Sequence, residues 1–167
     1  MCRNKFYKGA LPYQLYYANV FCILVMVMLS GVIVVLQGYG NRVSEYYAGY
    51  WSACANIVTI ILCTVMALKK DWTLVKVSIY VDACCLFMHT VFIILGALDS
   101  NNAYHRARHE NMGLPSMWTT SKVEYAFLIG MTTVIGINFI WLAVSMAVRI
   151  SGLSMERYSV MQTPVNK

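Results

Sequence analysis

Two ionisable side chains lie within the third of four long apolar stretches of this chain, where they are the residues best suited to chemistry. Asp82 and His89 are seven residues apart, close to two turns of an α-helix, so both face the same way. Ser78 and Cys85 complete a polar stripe on that face. An ionisable residue inside a membrane span is costly to insert and indicates a functional site by default.

Three interpretations of this polar stripe are open. In the first, it bonds to polar side chains of neighbouring helices, such as Asn56 and Asn138, and fixes how the helices pack. In the second, several copies of the chain build a pore, and the stripe lines its ion or proton path. In the third, Asp82, Cys85 and His89 hold a metal, although no Cys or His of another span lies at an obviously matching depth. The first is favoured, and we expect neither a metal site nor a cofactor.

Small and polar residues also form stripes on two other stretches. The second stretch carries Ser52, Asn56, Thr59, Cys63 and Ala67 on one face, and the fourth carries Gly136, Ala143 and Ala147. Small residues at helical spacing let two helices approach closely within a membrane. We therefore expect both faces to pack inside a bundle.

The four apolar stretches are the elements that must position these residues. They cover residues 15–37, 50–68, 76–98 and 123–148, and each can cross about 30 Å of hydrocarbon as an α-helix. Composition agrees, because 59% of the 167 residues are apolar and only 12% are charged, against about 25% charged in soluble domains. We predict an all-α polytopic membrane protein, a single four-helix transmembrane bundle without an appended soluble domain.

The distribution of lysine and arginine predicts the orientation of this bundle. Nine of the 13 basic residues lie in the tails 1–14 and 149–167, in the connection between spans two and three, or at the start of span three. Four lie in the loops 38–49 and 99–122. Cytosolic segments carry the excess of Lys and Arg, so we expect both termini in the cytosol and these two loops outside.

The tails carry two short candidate signals. Cys2, beside Arg3 and Lys5, is a candidate for reversible acylation, and an unmodified thiol is the alternative. Tyr158 and Met161 begin and end a Tyr-x-x-apolar tetrapeptide, the form that clathrin adaptors read as a sorting signal. If this signal is used, the protein cycles between the plasma membrane and endosomes.

Enzyme signatures are missing from the sequence. It contains no Gly-x-Ser-x-Gly, no phosphate-binding glycine-rich loop and no Cys-x-x-Cys pair. None of the six cysteines lies in an outer loop, so no extracellular disulfide is expected. We expect a non-enzymatic protein whose partners are the lipid bilayer and other membrane proteins or further copies of itself, with no nucleic acid.

Residues 48 to 100 carry a pattern that resembles a known family. Gly49-Tyr50-Trp51 opens span two after a short outer loop, Lys69-Lys70 closes it, and Gly96-Ala97-Leu98-Asp99 ends span three. This resembles the membrane-spanning four-domain family, whose best-known member is a B-cell surface antigen. In length, orientation and small loops the chain is also similar to arthropod tetraspans of septate junctions. The resemblance implies an oligomeric scaffold or accessory subunit of a receptor, channel or cell-junction complex.

Overall fold

The computed structural model describes residues 10–69, 72–110 and 120–161, with side chains described over 15–69, 73–109 and 121–154. Four α-helices occupy these ranges: α1 Ala10–Gly40, α2 Ala48–Lys69, α3 Trp72–Glu110 and α4 Thr120–Met161. Each is long and apolar enough to cross a membrane. The prediction of an all-α fold with four helices that can each span a membrane is confirmed for the described residues.

Two helices continue beyond the ends of the predicted spans. Helix α3 runs past Leu98 to Glu110, and α4 runs past Val148 to Met161. The sequence-based prediction ends the third span just before Asp99 and the fourth span just before Arg149. Both charged side chains are buried. Arg149 contacts neighbouring helices and Asp99 contacts the 41–47 loop, so neither charge ends its helix.

The helices form a ring in chain order. Each packs against the next, α4 closes the ring against α1, and α2 touches α4 across the centre. Short connections make successive helices antiparallel neighbours. The largest apolar core lies towards the end of the bundle that carries the 41–47 loop, and its members include Ile33, Phe92, Leu128, Met131 and Ile135.

The outward faces of the helices are apolar. Phe21, Leu24, Ile61, Phe87 and Ile140 are each more than half exposed in the isolated chain. Lipid tails are as apolar as these side chains, so such faces are stable only in contact with lipid or another membrane helix. The amphipathic pattern is therefore inverted relative to a soluble bundle, with polar residues concentrated in the interior.

Helices α3 and α4 make a close contact at Gly96 but not at Gly136. A Cβ on Gly96 would lie 2.6 Å from Thr132 Oγ1, so α3 and α4 approach closely there. A Cβ on Gly136 would meet nothing within 4 Å, and Ala147 is exposed. The small-residue face predicted for the fourth span is therefore not the contact face. The contact face carries Leu128, Met131, Ile135, Asn138, Leu142, Ser145 and Arg149.

We expect Gly96→Leu to destabilise the bundle and Gly136→Leu to leave it nearly unchanged. The first substitution overpacks the α3–α4 contact, and such overpacking costs about 1–3 kcal/mol. The second has open space. Thermal unfolding of both variants in detergent measures the difference. Equal midpoints for the two variants would contradict the assignment of the α3–α4 contact to Gly96.

Candidate functional site

Two polar clusters lie inside the bundle, and each takes residues from all four helices. The ion-pair cluster consists of Cys22, Cys63, Asp82, Ser145 and Arg149. The histidine cluster consists of Ser30, Ser52, Asn56, His89 and Asn138. Nine of these ten side chains are buried, and Ser30 is partly buried.

The ion-pair cluster is built around a direct contact between Arg149 and Asp82. Arg149 Nη1 donates to Asp82 Oδ2, and the two side chains are 1% and 0% exposed. The other terminal nitrogen, Nη2, donates to Ser145 Oγ at 2.9 Å and lies 2.8 Å from Cys63 Sγ. The guanidinium group therefore joins α2, α3 and α4 at one point.

Helix direction explains how these two side chains meet. Side chains tilt towards the N-terminus of their own helix. In the antiparallel pair α3 and α4, that tilt carries the guanidinium of Arg149 inwards to the level of Ser145, one turn earlier. Helix α3 runs in the opposite direction, so the same tilt carries the carboxylate of Asp82 towards the N-terminus of α3 and thus towards the guanidinium. The two groups thus approach each other from opposite directions along the bundle.

Helix α1 joins the ion-pair cluster through a thiol. Cys22 Sγ donates to Ser145 Oγ at 3.3 Å, and Ser145 in turn accepts from Arg149. The five described cysteines are all free. Cys22 and Cys63 therefore contribute as polarisable partners of the charged centre, whereas Cys54 and Cys84 are exposed on the outside.

The ion pair neutralises two charges that the membrane interior would otherwise exclude. One charged side chain at the centre of a span costs about 2.5–3.5 kcal/mol on insertion scales. Within the described residues, Asp82 Oδ1 and Arg149 Nε have no hydrogen-bond partner. A buried pair with remaining unpaired atoms contributes less to net stability than to fixing one arrangement of helices. The arrangement can therefore specify packing strongly, because either residue alone is unfavourable.

The histidine cluster is a directed network of hydrogen bonds. His89 Nδ1 lies 2.7 Å from the carbonyl oxygen of Cys85, which only accepts, so Nδ1 carries the proton. His89 Nε2 then accepts from Asn138 Nδ2 at 2.8 Å and lies 3.1 Å from Ser52 Oγ. The imidazole is therefore the neutral Nδ1-H tautomer, and each ring nitrogen has a partner.

The network continues from Asn138 to the first helix. Asn138 Nδ2 also donates to Asn56 Oδ1 at 2.8 Å, and Asn56 Nδ2 donates to Ser30 Oγ at 2.9 Å. Ser30 Oγ in turn donates a hydrogen bond to the carbonyl oxygen of Met26 at 2.7 Å. The chain thus ends on a backbone acceptor, and it links all four helices at a second level.

A third polar contact organises the first loop, residues 41–47. Asp99 is fully buried and accepts from Ser44 Oγ at 2.8 Å, from the backbone N–H of Glu45 at 2.7 Å and from that of Tyr46 at 3.3 Å. Arg106, further along α3, pairs with Glu45 at 3.2 Å. The loop is thereby bound to α3, and it holds Tyr47 at a φ of 52°, which is strained for a residue with a side chain.

The structure separates the residues of the predicted polar stripe. Asp82 belongs to the ion-pair cluster and His89 to the histidine cluster. Between them, Cys85 Sγ accepts from Thr59 Oγ1 at 3.5 Å. Ser78, one turn before Asp82, donates to the carbonyl oxygen of Val75 in its own helix. Within the described ranges no three His, Cys, Asp or Glu side chains are grouped as metal ligands.

The predicted partners of the stripe are distributed unevenly. Asn56 and Asn138 both lie in the histidine cluster, as the packing interpretation expects. Asp82 is instead bonded to Arg149. The sequence-based prediction places Arg149 in the tail, because it follows the last apolar stretch. Cys2 lies outside the described residues. Tyr158 and Met161 fall on the last turns of α4, and their side chains are outside the described set.

The sequence does contain a signal for Arg149. Asn138, Leu142, Ser145 and Arg149 follow one another at spacings of four, three and four, which is one helix face. Apolar residues continue beyond the arginine to Leu153. A polar stripe on the fourth span that ends in an arginine is the natural partner for a stripe on the third span that contains an aspartate.

We expect the ion pair to behave as a coupled unit in a double-mutant cycle. Asp82→Leu or Arg149→Met alone leaves one buried charge unpaired and costs about 3–5 kcal/mol. The double variant removes both charges and should lose less than either single variant. Unfolding in detergent measures all four corners of the cycle.

The reference for this cycle is Arg106→Met, which removes the exposed pair with Glu45 and one hydrogen bond to the carbonyl oxygen of Val43. An exposed pair contributes about 0–1 kcal/mol and a single hydrogen bond about 0.5–3 kcal/mol, so this variant should lose less than Asp82→Leu or Arg149→Met. Additive losses for Asp82→Leu and Arg149→Met would show that the two residues do not act together.

Comparison of the chain with protein-family models, with curated proteins and with solved structures gives no match. Function therefore rests on the geometry of the two buried clusters and of the outer helix faces.

Proposed function

We propose that this protein is a non-enzymatic tetraspan of the plasma membrane, a scaffold or accessory subunit for a receptor, channel or cell-junction complex. Its interior serves as a fixed frame, and the outer faces of its helices bind partners within the bilayer. The observation that carries the proposal is that both polar clusters are formed by side chains of one chain, and their ionisable members Asp82, His89 and Arg149 are bonded to side chains of that chain. Through hydrogen bonds and an ion pair, these polar groups hold the four helices together.

The burial of the polar stripe favours a frame over a pore between copies. A residue that lines a pore must face water, yet Asp82 and His89 are 0% exposed in a single chain. Each is surrounded by side chains of its own bundle.

The two clusters are also separated from each other by a layer that is mainly apolar, with one buried hydroxyl, that of Thr59, donating to Cys85 Sγ. Met26, Cys85 and Leu142 form an apolar core cluster, and each lies in sequence between a residue of the ion-pair cluster and one of the histidine cluster. A continuous polar path along the bundle axis would have to cross this layer. Its presence supports the scaffold over the alternative, an ion or proton channel lined by the polar face of α3.

The outer surface supplies what a scaffold needs. Large apolar side chains cover the outward faces, and the loops are short, so partners must be met mainly within the bilayer. The resemblance to the membrane-spanning four-domain family points the same way. The excess of lysine and arginine in the tails and in the connection between α2 and α3 supports an orientation with both tails in the cytosol.

We expect purified protein in sealed vesicles to conduct neither ions nor protons above the level of empty vesicles. Asp82→Asn should give the same result, since the carboxylate serves packing. Flux is measured with a pH-sensitive dye and an imposed potential. Flux in wild type that is lost in Asp82→Asn would contradict the scaffold and establish the channel.

The companion experiment tests orientation and partners in intact cells. Tags on either terminus should bind antibody only after permeabilisation, and other membrane proteins should be recovered with the chain after mild solubilisation. Labelling of either tag on unpermeabilised cells would contradict the orientation. Recovery of the chain alone at every detergent strength would contradict the scaffold.

A further inference from the structure

An apolar groove lies on the outer surface between α2 and α3, apart from the two clusters. It has a volume of about 350 Å³ and is lined by Ala55, Val58, Tyr80, Val81, Cys84, Cys85 and Met88. Small side chains form its floor, and the larger side chains of Val58, Tyr80 and Met88, all exposed, form its edges. Within a bilayer, such a groove faces hydrocarbon.

Two lysines lie on the helix faces that form the groove, at one end of it. Lys69 is eleven residues after Val58, close to three full turns, and Lys76 is one turn before Tyr80. Both lysine side chains are exposed. From Lys69 to Lys76 the sequence carries three lysines against one aspartate, so this end of the groove is positive.

The distance from the lysines to the far end of the groove matches one leaflet. The groove lining on α3 runs from Tyr80 to Met88, a rise of about 12 Å at 1.5 Å per residue, and Lys76 lies about 6 Å before it. Their sum is close to half of the hydrocarbon core, which is about 15 Å. A molecule with its charge at the lysines and its chain along the groove would therefore end near the middle of the bilayer. Basic pockets between membrane helices on the cytosolic side bind anionic headgroups.

We propose that the α2–α3 groove binds one acyl chain of an anionic phospholipid whose headgroup, through its net negative charge, is held by Lys69 and Lys76. The charge at one end selects a lipid over the uncharged side chains of a partner helix. The depth of the groove selects a lipid of the leaflet that the lysines face. This site is separate from the scaffold function, which concerns proteins.

The test uses the full chain in detergent, titrated with dioleoylphosphatidylserine or dioleoylphosphatidylcholine and weighed by native mass spectrometry. Wild type should bind one phosphatidylserine with an affinity at least roughly tenfold above that for phosphatidylcholine, since each lysine near an anionic lipid contributes about fivefold. The preference should weaken at high salt. Equal binding of the two lipids would overturn the proposal.

Matched variants separate the headgroup from the groove. The double variant Lys69→Gln with Lys76→Gln should lose the preference, whereas Arg42→Gln with Arg108→Gln, both exposed, removes the same charge and should keep it. Cys84→Trp should fill the groove and abolish tight binding. Cys54→Trp is also at an exposed cysteine, but outside the groove, and should bind like wild type.

Two outcomes would assign the groove to something else. Phosphatidylserine binding that survives Cys84→Trp would mean that the lysines attract headgroups without a groove. Loss of all lipid binding in favour of a stable dimer, with Cys84→Trp restoring the monomer, would mean that a second copy occupies the groove. Glycerophosphoserine, the headgroup without chains, should show no binding, and binding equal to that of the lipid would also overturn the proposal.

Discussion

The contact between Asp82 and Arg149 is the constraint on which the rest of the bundle depends. Each residue alone would place a charge in the hydrophobic interior, and together they form a neutral pair. Because the guanidinium also reaches Cys63 and Ser145, and Ser145 reaches Cys22, the pair fixes all four helices at one level. Helix rotations that break the pair are costly, so the register of α3 against α4 is set there.

The histidine cluster repeats this logic without charge. In lipid there is no apolar driving force between helices, so packing and interhelical hydrogen bonds must select the arrangement. His89 and Asn138 supply those bonds at a second level, and the close approach at Gly96 supplies packing at a third. Three constraints at different depths define one arrangement better than a single contact would, and they leave the outer faces free for lipid and partners.

The fold was predictable from sequence because hydrophobic length and helix formation are local properties. The polar stripe of α3 was also predictable, since it depends only on helical spacing. The partner of Asp82 was not, because pairing depends on which helices are neighbours and on how far each extends. If a span is taken to end at the first charged residue after an apolar stretch, Arg149 is assigned to the tail and Asp99 to a loop. Both are buried.

The central claim, that Asp82 and Arg149 pair within one chain, can be tested by solid-state NMR in bilayers. Protein with ¹³C-labelled aspartate carboxyls and ¹⁵N-labelled arginine guanidinium groups, diluted into unlabelled chains, should show one dipolar coupling for a separation of about 4 Å. Arg149→Lys should remove it. No coupling in the diluted sample, or a coupling that arises only when singly labelled chains are mixed, would contradict the account.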